Sequence, residues 1–182
     1  MTGRYTSRNG ALVHKAASDY VFERFHDWRR ERDGLKILEI GALNINGSVR
    51  DFMRPFSLEY VGIDVQDGPN VDVVASGHEY CHAGYFDVVV SCEVFEHTAL
   101  WPDIIRNVHA NLRDGGIFIA TMAGEGRAPH SGVHGNAPYE WEWYANIGEW
   151  QLGQLLRGLF STYETSYVGK NVHPDLRCWA IK

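Results

Sequence analysis

The chain has 182 residues, of which 45% are hydrophobic, and its formal net charge at pH 7 is −6. This length and composition predict a single domain over residues 1–182, and the acidic balance disfavours nucleic acid as a partner. The sequence contains no apolar run of about eighteen residues and no N-terminal signal peptide, so neither a membrane span nor secretion is expected.

The N-terminal segment, residues 1–34, is predicted to contain one helix. Ser18 and Asp19 are residue types that cap helices. The apolar positions that follow recur at helical spacing: Val21, Phe25 and Trp28. The pattern ends at Asp33-Gly34, so a helix is expected just before the first strand.

Two apolar strands with acidic ends follow the helix. Residues 35–40 are predicted as strand one, which contains Glu39 and leads into a turn that holds Gly41 and Gly47. Residues 58–63 are predicted as strand two, and Asp64 follows at its tip. A strand that leads into a glycine turn brings backbone N–H groups close to a ligand, and an acid after the next strand can accept two hydrogen bonds from a ribose. The pattern predicts a nucleoside-bearing cofactor, with a turn or helix-capping role as the alternative for Asp64.

Strands and helices alternate as far as residue 122, which predicts a parallel sheet. A short helix with inward Val49, Phe52 and Met53 is predicted to stop at Pro55. Strands three, four and five are predicted at residues 71–75, 86–91 and 117–122. A helix that starts at Pro102 separates the last two strands and is expected to end at residues 114–116. Its inward positions are Ile104, Ile105, Val108 and Leu112.

The pattern changes after strand five. Residues 123–145 read as a long loop rich in glycine and aromatic residues. Asn146 and Glu149 resemble a capping box at the start of a helix that runs to Leu159. Two closing strands are predicted at residues 163–168 and 176–181, and the connection between them is too short for a helical crossover. These two strands are therefore expected to be antiparallel.

Residues 35–182 resemble the class I S-adenosylmethionine (SAM)-dependent methyltransferases. The shared features are the glycine turn after strand one, the acid after strand two and the antiparallel last strand. The segment FDVVVSCEVFEH at residues 86–97 is similar to strand four of the small-molecule, ubiquinone-biosynthesis-like branch, and LRDGGIFIA at residues 112–120 is similar to the start of strand five in these enzymes. The resemblance implies a doubly wound, Rossmann-like α/β fold with a seven-stranded sheet in the order 3-2-1-4-5-7-6.

The resemblance also implies which residues surround SAM. Residues at the glycine turn would border its methionine part, Asp64 its ribose, the segment after strand three its adenine, and the tip of strand four its sulfur. The implied cofactor-binding residues are Glu39, Gly41, Ala42, Gly47, Asp64, Val65, Ser76, Gly77, His78, Ser91, Cys92 and Glu93.

The chain departs from the family pattern at two places. Leu43 and Ile45 replace two glycines of the turn, and its last glycine, Gly47, comes two residues late. Ser76 stands where the family often has an aspartate for the adenine amino group. A serine hydroxyl or a backbone carbonyl can accept that bond instead.

The implied reaction is transfer of a methyl group to a hydroxyl or amine of a small organic acceptor. The loop at residues 123–145 is expected to form the acceptor site, since its polar aromatic residues suit an organic molecule. A hydroxyl acceptor needs a base, for which the candidates are His134, His130 and His97. No metal is expected, because Pro129 and the loop glycines prevent His130 and His134 from sharing a helix face.

Other interpretations stay open at this point. The chain could be a binding or scaffold protein with the same fold and no turnover, or an NAD-dependent oxidoreductase. Glu93 and Glu96 could simply start a helix. The N-terminal helix could be a lid over the cofactor or could pack permanently on the sheet, and residues 5–9 are a candidate flap. Three cysteines without a CxxC pair make the cytoplasm the expected location.

Overall fold

The computed structural model describes residues 15–45, 47–134, 136–169 and 174–182. They form one seven-stranded sheet in the order β3-β2-β1-β4-β5-β7-β6, as the family resemblance implied. Strand β7 is antiparallel to both of its neighbours, and the other pairs are parallel. The strands are β1 Leu35–Ile40, β2 Ser57–Asp64, β3 Val73–Val74, β4 Phe86–Cys92, β5 Leu112–Ala123, β6 Thr162–Val168 and β7 Asp175–Ile181.

Four α-helices cover the two faces of the sheet: α1 Lys15–Arg29, α2 Arg50–Met53, α3 Trp101–Asn111 and α4 Glu149–Leu159. Helices α1 and α2 bury Val21, Phe25 and Met53 against one face. Helices α3 and α4 bury Ile105 and Leu156 against the other. Because both faces are covered, the central strands β1 and β4 are buried over almost their whole length and are mostly apolar, as buried parallel strands are.

Strand β3 is shorter than predicted, with two residues in place of five. The Asp72 carboxylate accepts a hydrogen bond from the Gly62 N–H at 2.7 Å and also pairs with Arg50. The Asp72 side chain therefore binds the N–H of Gly62 in β2, which the backbone of a regular neighbouring strand would otherwise have bound. Only Val73 and Val74 pair with β2 as a regular strand.

Helix α3 ends earlier than predicted, and β5 begins at Leu112 rather than Ile117. The fully buried Asn111 explains the position of this end. Its amide donates to the carbonyl of Tyr80 at 2.9 Å, and its oxygen accepts from the backbone N–H of His82 at 2.7 Å. Asn111 thus ties the last turn of α3 to the segment before β4, and the chain turns into β5 directly.

The predicted helix caps are wrong in both cases. Ser18 and Asp19 lie inside α1, which includes Lys15, and Asp19 forms an ion pair with Lys15 one turn earlier. At α4 the capping residue is Gly148, without a side-chain bond. Asn146 donates instead to the carbonyl of Arg127, and Glu149 accepts from the Thr165 hydroxyl. At α4, the two residues that were predicted to cap the helix therefore bind groups that are distant in the sequence.

Helix α1 packs on β5, β7 and α2 and buries Ala17, Tyr20, Val21 and Phe25. None of its residues lines the cavity described below. The candidate flap at residues 5–9 lies outside the described residues. Among the described helices, none combines the length and hydrophobicity needed to cross a membrane.

Candidate active site

One cavity of about 850 Å³ opens at the carboxyl ends of β1, β2 and β4. Open α/β sheets bind their ligands at this edge. One wall comes from the turn after β1 and the tips of β2 and β3, and the opposite wall comes from the loop after β5. The cavity therefore joins the predicted cofactor region to the predicted acceptor loop.

Glu39 is a buried carboxylate at the tip of β1. It accepts a hydrogen bond from the Tyr60 hydroxyl at 2.9 Å, and its Oε2 lies 4.0 Å from Nε of Arg50. Burial raises the pKa of Glu39 to about 7, although Tyr60 and Arg50 both oppose this shift. Arg50 is itself paired with Asp72, so its charge is shared between two acids. Glu39 is thus poised to gain or lose a proton near neutral pH.

The turn after β1 is bonded to the rest of the protein through its own amides. Gly41 and Ala42 donate to the carbonyl of Ile63 at 2.9 and 3.0 Å. Leu43 donates to the Asp64 carboxylate at 3.2 Å, and Gly47 donates to the Asn44 side chain at 2.9 Å. These amides have partners inside the protein, in a turn whose sequence departs from the glycine turn of the family at Leu43, Ile45 and Gly47.

Asp64 stands at the tip of β2 with its carboxylate oriented by two backbone amides. Its Oδ2 accepts from Leu43 at 3.2 Å and its Oδ1 from Gln66 at 3.0 Å. Each carboxylate oxygen can accept a further hydrogen bond. The side chain is half-buried and lines the cavity, so the remaining acceptor positions are open to a diol.

The tip of β4 approaches the glycine turn closely. Gly41 has φ +78°, and a Cβ atom there would overlap with Cγ2 of Val94. Glu93 also has positive φ, at +54°, which is rare for a residue with a side chain. Its backbone N–H is held by the carbonyl of Thr121 at 2.8 Å. Backbone held in such a conformation is concentrated at functional sites, and Glu93 lines the cavity.

Glu96, His97 and His130 form a cluster beside the cavity, and the two histidines line it. Nε2 of His130 lies 3.8 Å from Oε1 of Glu96, and Nε2 of His97 lies 4.0 Å from the same oxygen. The two rings are 5.0 Å apart. Burial and the neighbouring His130 lower the pKa of His97 to about 4, so its ring is neutral at pH 7. Glu96 lies in a short 3-10 turn, Phe95–His97, and its side chain is fully buried.

The loop after β5 supplies the aromatic part of the cavity. Trp141 and Trp143 line it while keeping 75% and 54% of their surface exposed. Tyr139 stacks on Trp141 with ring centroids 5.4 Å apart, and Tyr144 packs against the rings of His97 and His130. The flat, accessible faces of the two tryptophans border open space that a small organic molecule could fill.

Comparison with known proteins identifies the family. A family model described as a methyltransferase domain matches residues 12–158. The chain belongs to this methyltransferase family. The matched region runs from before α1 into α4 and includes every strand that borders the cavity. No curated protein shows significant sequence similarity to the chain.

Solved structures share the fold of this methyltransferase. The 1,6-didemethyltoxoflavin-N1-methyltransferase of Burkholderia thailandensis, with bound 1,6-didemethyltoxoflavin and S-adenosylhomocysteine, matches 96% of this chain and 79% of its own length, with TM-score 0.67 and 16% identity. Phosphoethanolamine N-methyltransferase 2 of Haemonchus contortus, in complex with SAM, matches 90% of this chain and 52% of its own (TM-score 0.67, 15% identity). The cyclase SpnF matches 88% and 64% (TM-score 0.58, 17% identity). At such identities the likeness establishes the fold, and the predicted methyltransferase fold is confirmed.

Most residues that the sequence assigned to the cofactor border one cavity in this methyltransferase. Ten of the twelve line it: Glu39, Gly41, Ala42, Gly47, Asp64, Val65, Ser76, Gly77, Cys92 and Glu93. Two do not, since the Ser91 hydroxyl is buried and donates to the Ile40 carbonyl, and Nδ1 of His78 is 2.6 Å from the Ser76 hydroxyl. Among the candidate bases, His97 and His130 line the cavity and His134 does not.

The structure adds site residues that the sequence interpretation missed. Arg127 and Glu142 line the cavity from the loop after β5, and Arg127 pairs with the buried Asp175. Leu43 and Ile45, which replace the expected glycines, also line it. The substitutions at these two positions were visible in the sequence, whereas nothing local distinguished Arg127 or Glu142 from other loop charges.

Proposed function

We propose that this methyltransferase moves a methyl group from SAM to a hydroxyl or amine of a small organic acceptor. The observation that supports the proposal most directly is the cavity at the carboxyl edge of the sheet, which is lined both by Asp64 and by His97, His130 and the two tryptophans of the loop after β5. Two reactants held next to each other in one cavity can react directly, without a covalent intermediate on the protein.

The residues present fit a nucleoside cofactor that carries an amino acid. The cavity volume lies in the range of about 300–1,000 Å³ that is typical of ligand sites. Asp64 keeps acceptor positions for ribose hydroxyls, and Glu39 offers a buried negative charge to the ammonium group of the methionine part. Both side chains already stand in the cavity wall, where Tyr60 and the amides of Leu43 and Gln66 orient them.

When bound, SAM supplies an electrophilic methyl group on a sulfonium. The protein has to orient the acceptor, exclude water and, for a hydroxyl, accept a proton. The tryptophans of the loop would position the acceptor by stacking on its faces. His97, His130 and His134 are the proposed bases, and the first two border the cavity.

Binding of SAM is expected to strengthen with rising pH because of Glu39. A carboxyl with a pKa of about 7 is mostly protonated at pH 6 and mostly charged at pH 7.5, whereas an ammonium with a pKa of about 7.7–8.0 is still largely protonated at pH 7.5. The dissociation constant should therefore fall about five- to sixfold between these two pH values, which titration calorimetry would measure.

The control for this pH dependence is Glu39→Gln, which should bind SAM more weakly at pH 7.5 and with a flat profile. Other groups that face Glu39 do not titrate in this window. Burial raises the pKa of Tyr60 and Cys92, hydrogen bonding to Arg50 and Gly62 lowers that of Asp72, and the pairing with Asp72 raises that of Arg50. If the dissociation constant of SAM changes with pH in Glu39→Gln as it does in the wild type, Glu39 does not bind the cofactor.

Transfer itself is tested with SAM that carries a labelled methyl group. Incubation with a small-molecule extract should yield labelled organic products, whereas protein and nucleic acid fractions should stay unlabelled. Asp64→Ala serves as the inactive control, because it removes the proposed ribose acceptor. Label that appears only in macromolecules would contradict a small acceptor.

A binding or scaffold role is the second candidate, and the bonded turn is the observation that favours it. The amides of Gly41, Ala42 and Leu43 all have partners inside the protein, which leaves fewer donors for the carboxylate of SAM. SpnF, a protein of similar fold, is named as a cyclase, which is a reaction other than methylation. SAM binding without any labelled product would favour this role. The antiparallel β7 and the family match leave the NAD-dependent oxidoreductase without support.

A further inference from the structure

Three metal-ligating side chains converge beside the cavity. Glu96, His97 and His130 each place one donor atom within 4.8 Å of the other two. They come from a 3-10 turn after β4 and from the loop after β5, so the fold brings together residues more than thirty positions apart in the chain. His97 and His130 line the cavity, and Glu96 lies behind them.

The buried Glu96 carboxylate has no side-chain hydrogen bond among the described residues. It has no exposed surface, and only the backbone amides of Glu96 itself and of Ala123 act on its oxygens, without the geometry of a regular hydrogen bond. Arg127 also acts on it, but this side chain is already paired with Asp175. A buried carboxylate is normally paired, hydrogen-bonded or bound to a metal. Its Oε1 faces the two imidazoles, so a ligand between them would satisfy it.

The orientation of His130 leaves its other nitrogen free for such a ligand. Nδ1 of His130 lies 3.3 Å from the carbonyl of Ala128, which can only accept a hydrogen bond. The proton is therefore on Nδ1, and Nε2 presents its lone pair to Oε1 of Glu96. A backbone carbonyl that holds one nitrogen while the other binds a cation is the usual arrangement of metal-bound histidines.

We propose that Glu96, His97 and His130 bind one divalent transition-metal ion. Two imidazoles and one carboxylate are donors preferred by zinc and similar first-row ions rather than by magnesium or calcium. Bonds of about 2.0–2.2 Å in a tetrahedral site set donor atoms about 3.4 Å apart, so the observed 3.8 and 4.0 Å need only small side-chain rotations.

A shared proton explains the cluster less well. Hydrogen bonds between nitrogen and oxygen span about 2.7–3.2 Å, and both distances from Oε1 of Glu96 are longer than that. A single proton could also serve only one of the two histidines. An ion at the centre would satisfy all three side chains at once.

The metal site deepens the proposed function and rests on it for its chemical role. An ion with three protein ligands keeps positions open and lowers the pKa of a bound hydroxyl. The acceptor class would then be a hydroxyl compound that binds the ion through oxygen. Its proton leaves to solvent, its oxygen forms the new bond to the methyl carbon, and the electron pair of the broken carbon–sulfur bond stays on sulfur. His97 and His130 would hold the ion rather than accept the proton.

The test is a titration of the whole purified protein with Co²⁺ in the absence of SAM and acceptor. We expect one ion per chain and the visible absorption bands of Co²⁺ bound by imidazole and carboxylate. His130→Ala and Glu96→Gln should weaken binding at least roughly 100-fold. His134→Ala is the matched control, because this histidine lies on the same loop but outside the cluster, and it should bind Co²⁺ like the wild type.

The outcome separates the metal site from the proposed function. Wild-type protein without a stoichiometric Co²⁺ spectrum, or variants that bind as tightly as the wild type, would overturn the site whether or not methyl transfer is seen. His130 is on a partly exposed loop, so its alanine variant keeps the test valid if Glu96→Gln fails to fold. Loss of labelled product after chelation and its return with added metal would support the catalytic role.

Discussion

Replacing Asp64 with alanine is expected to weaken SAM binding by roughly 100-fold or more. Each hydrogen bond to a charged acceptor contributes about 1.5–3 kcal/mol, and a ribose diol would make two of them with this carboxylate. Since about 1.4 kcal/mol corresponds to a tenfold change, even the lower value gives this effect. Titration calorimetry at pH 7.5 measures it directly.

Two further variants make the Asp64 result specific. Asp67→Ala removes an exposed carboxylate three residues away and should leave the affinity unchanged. Asp64→Asn keeps one acceptor oxygen for the amides of Leu43 and Gln66 and should show an intermediate loss. If Asp64→Ala binds SAM as the wild type does while remaining folded, the nucleoside lies elsewhere and the proposed site is incorrect.

Gly41→Ala is expected to destabilise the protein by about 2–5 kcal/mol and to impair SAM binding. The new Cβ would overlap with Cγ2 of Val94, and the backbone at φ +78° already disfavours a side chain. Overpacking costs about 1–3 kcal/mol and a left-handed residue about 1–2 kcal/mol, so the two effects add to this range. Urea unfolding followed by circular dichroism gives the free energy of unfolding.

Gly34→Ala separates the two contributions at Gly41. Gly34 has φ +66°, but no atom lies within 4 Å of the position of its missing Cβ. This variant should lose only about 1–2 kcal/mol and keep its affinity for SAM. The double variant Gly41→Ala, Val94→Ala should recover part of the stability by removing the overlap. No recovery would mean that the contact with Val94 is unimportant.

The prediction from sequence was most accurate where one local pattern decided the structure. Strand β1 has the predicted bounds, because its apolar run leads directly from one glycine turn to another. The capping predictions failed for the opposite reason. Asn146 and Glu149 had suitable partners nearby in sequence, but Arg127 and Thr165 compete for them in the folded protein.

In the candidate site too, some residues could be placed from the sequence and others could not. The tips of consecutive parallel strands must share one edge of the sheet, so Glu39, Asp64 and Glu93 could be placed together without a structure. No rule of this kind places a loop residue. The convergence of His130 with Glu96 depends on how the loop after β5 folds back over β4.

The sequence by itself determined the succession of strands and helices, because apolar periodicity and turn residues mark each element. The order of the strands in the sheet followed from the resemblance to the methyltransferase family, and the edge at which ligands bind followed from the acidic and glycine residues at the strand tips. Only the tertiary structure decided which polar side chains meet there. It directed the turn amides to Ile63 and Asp64, buried Glu96 and placed two histidines beside it. Such contacts join residues far apart in the chain, and their geometry depends on the packing of the whole domain.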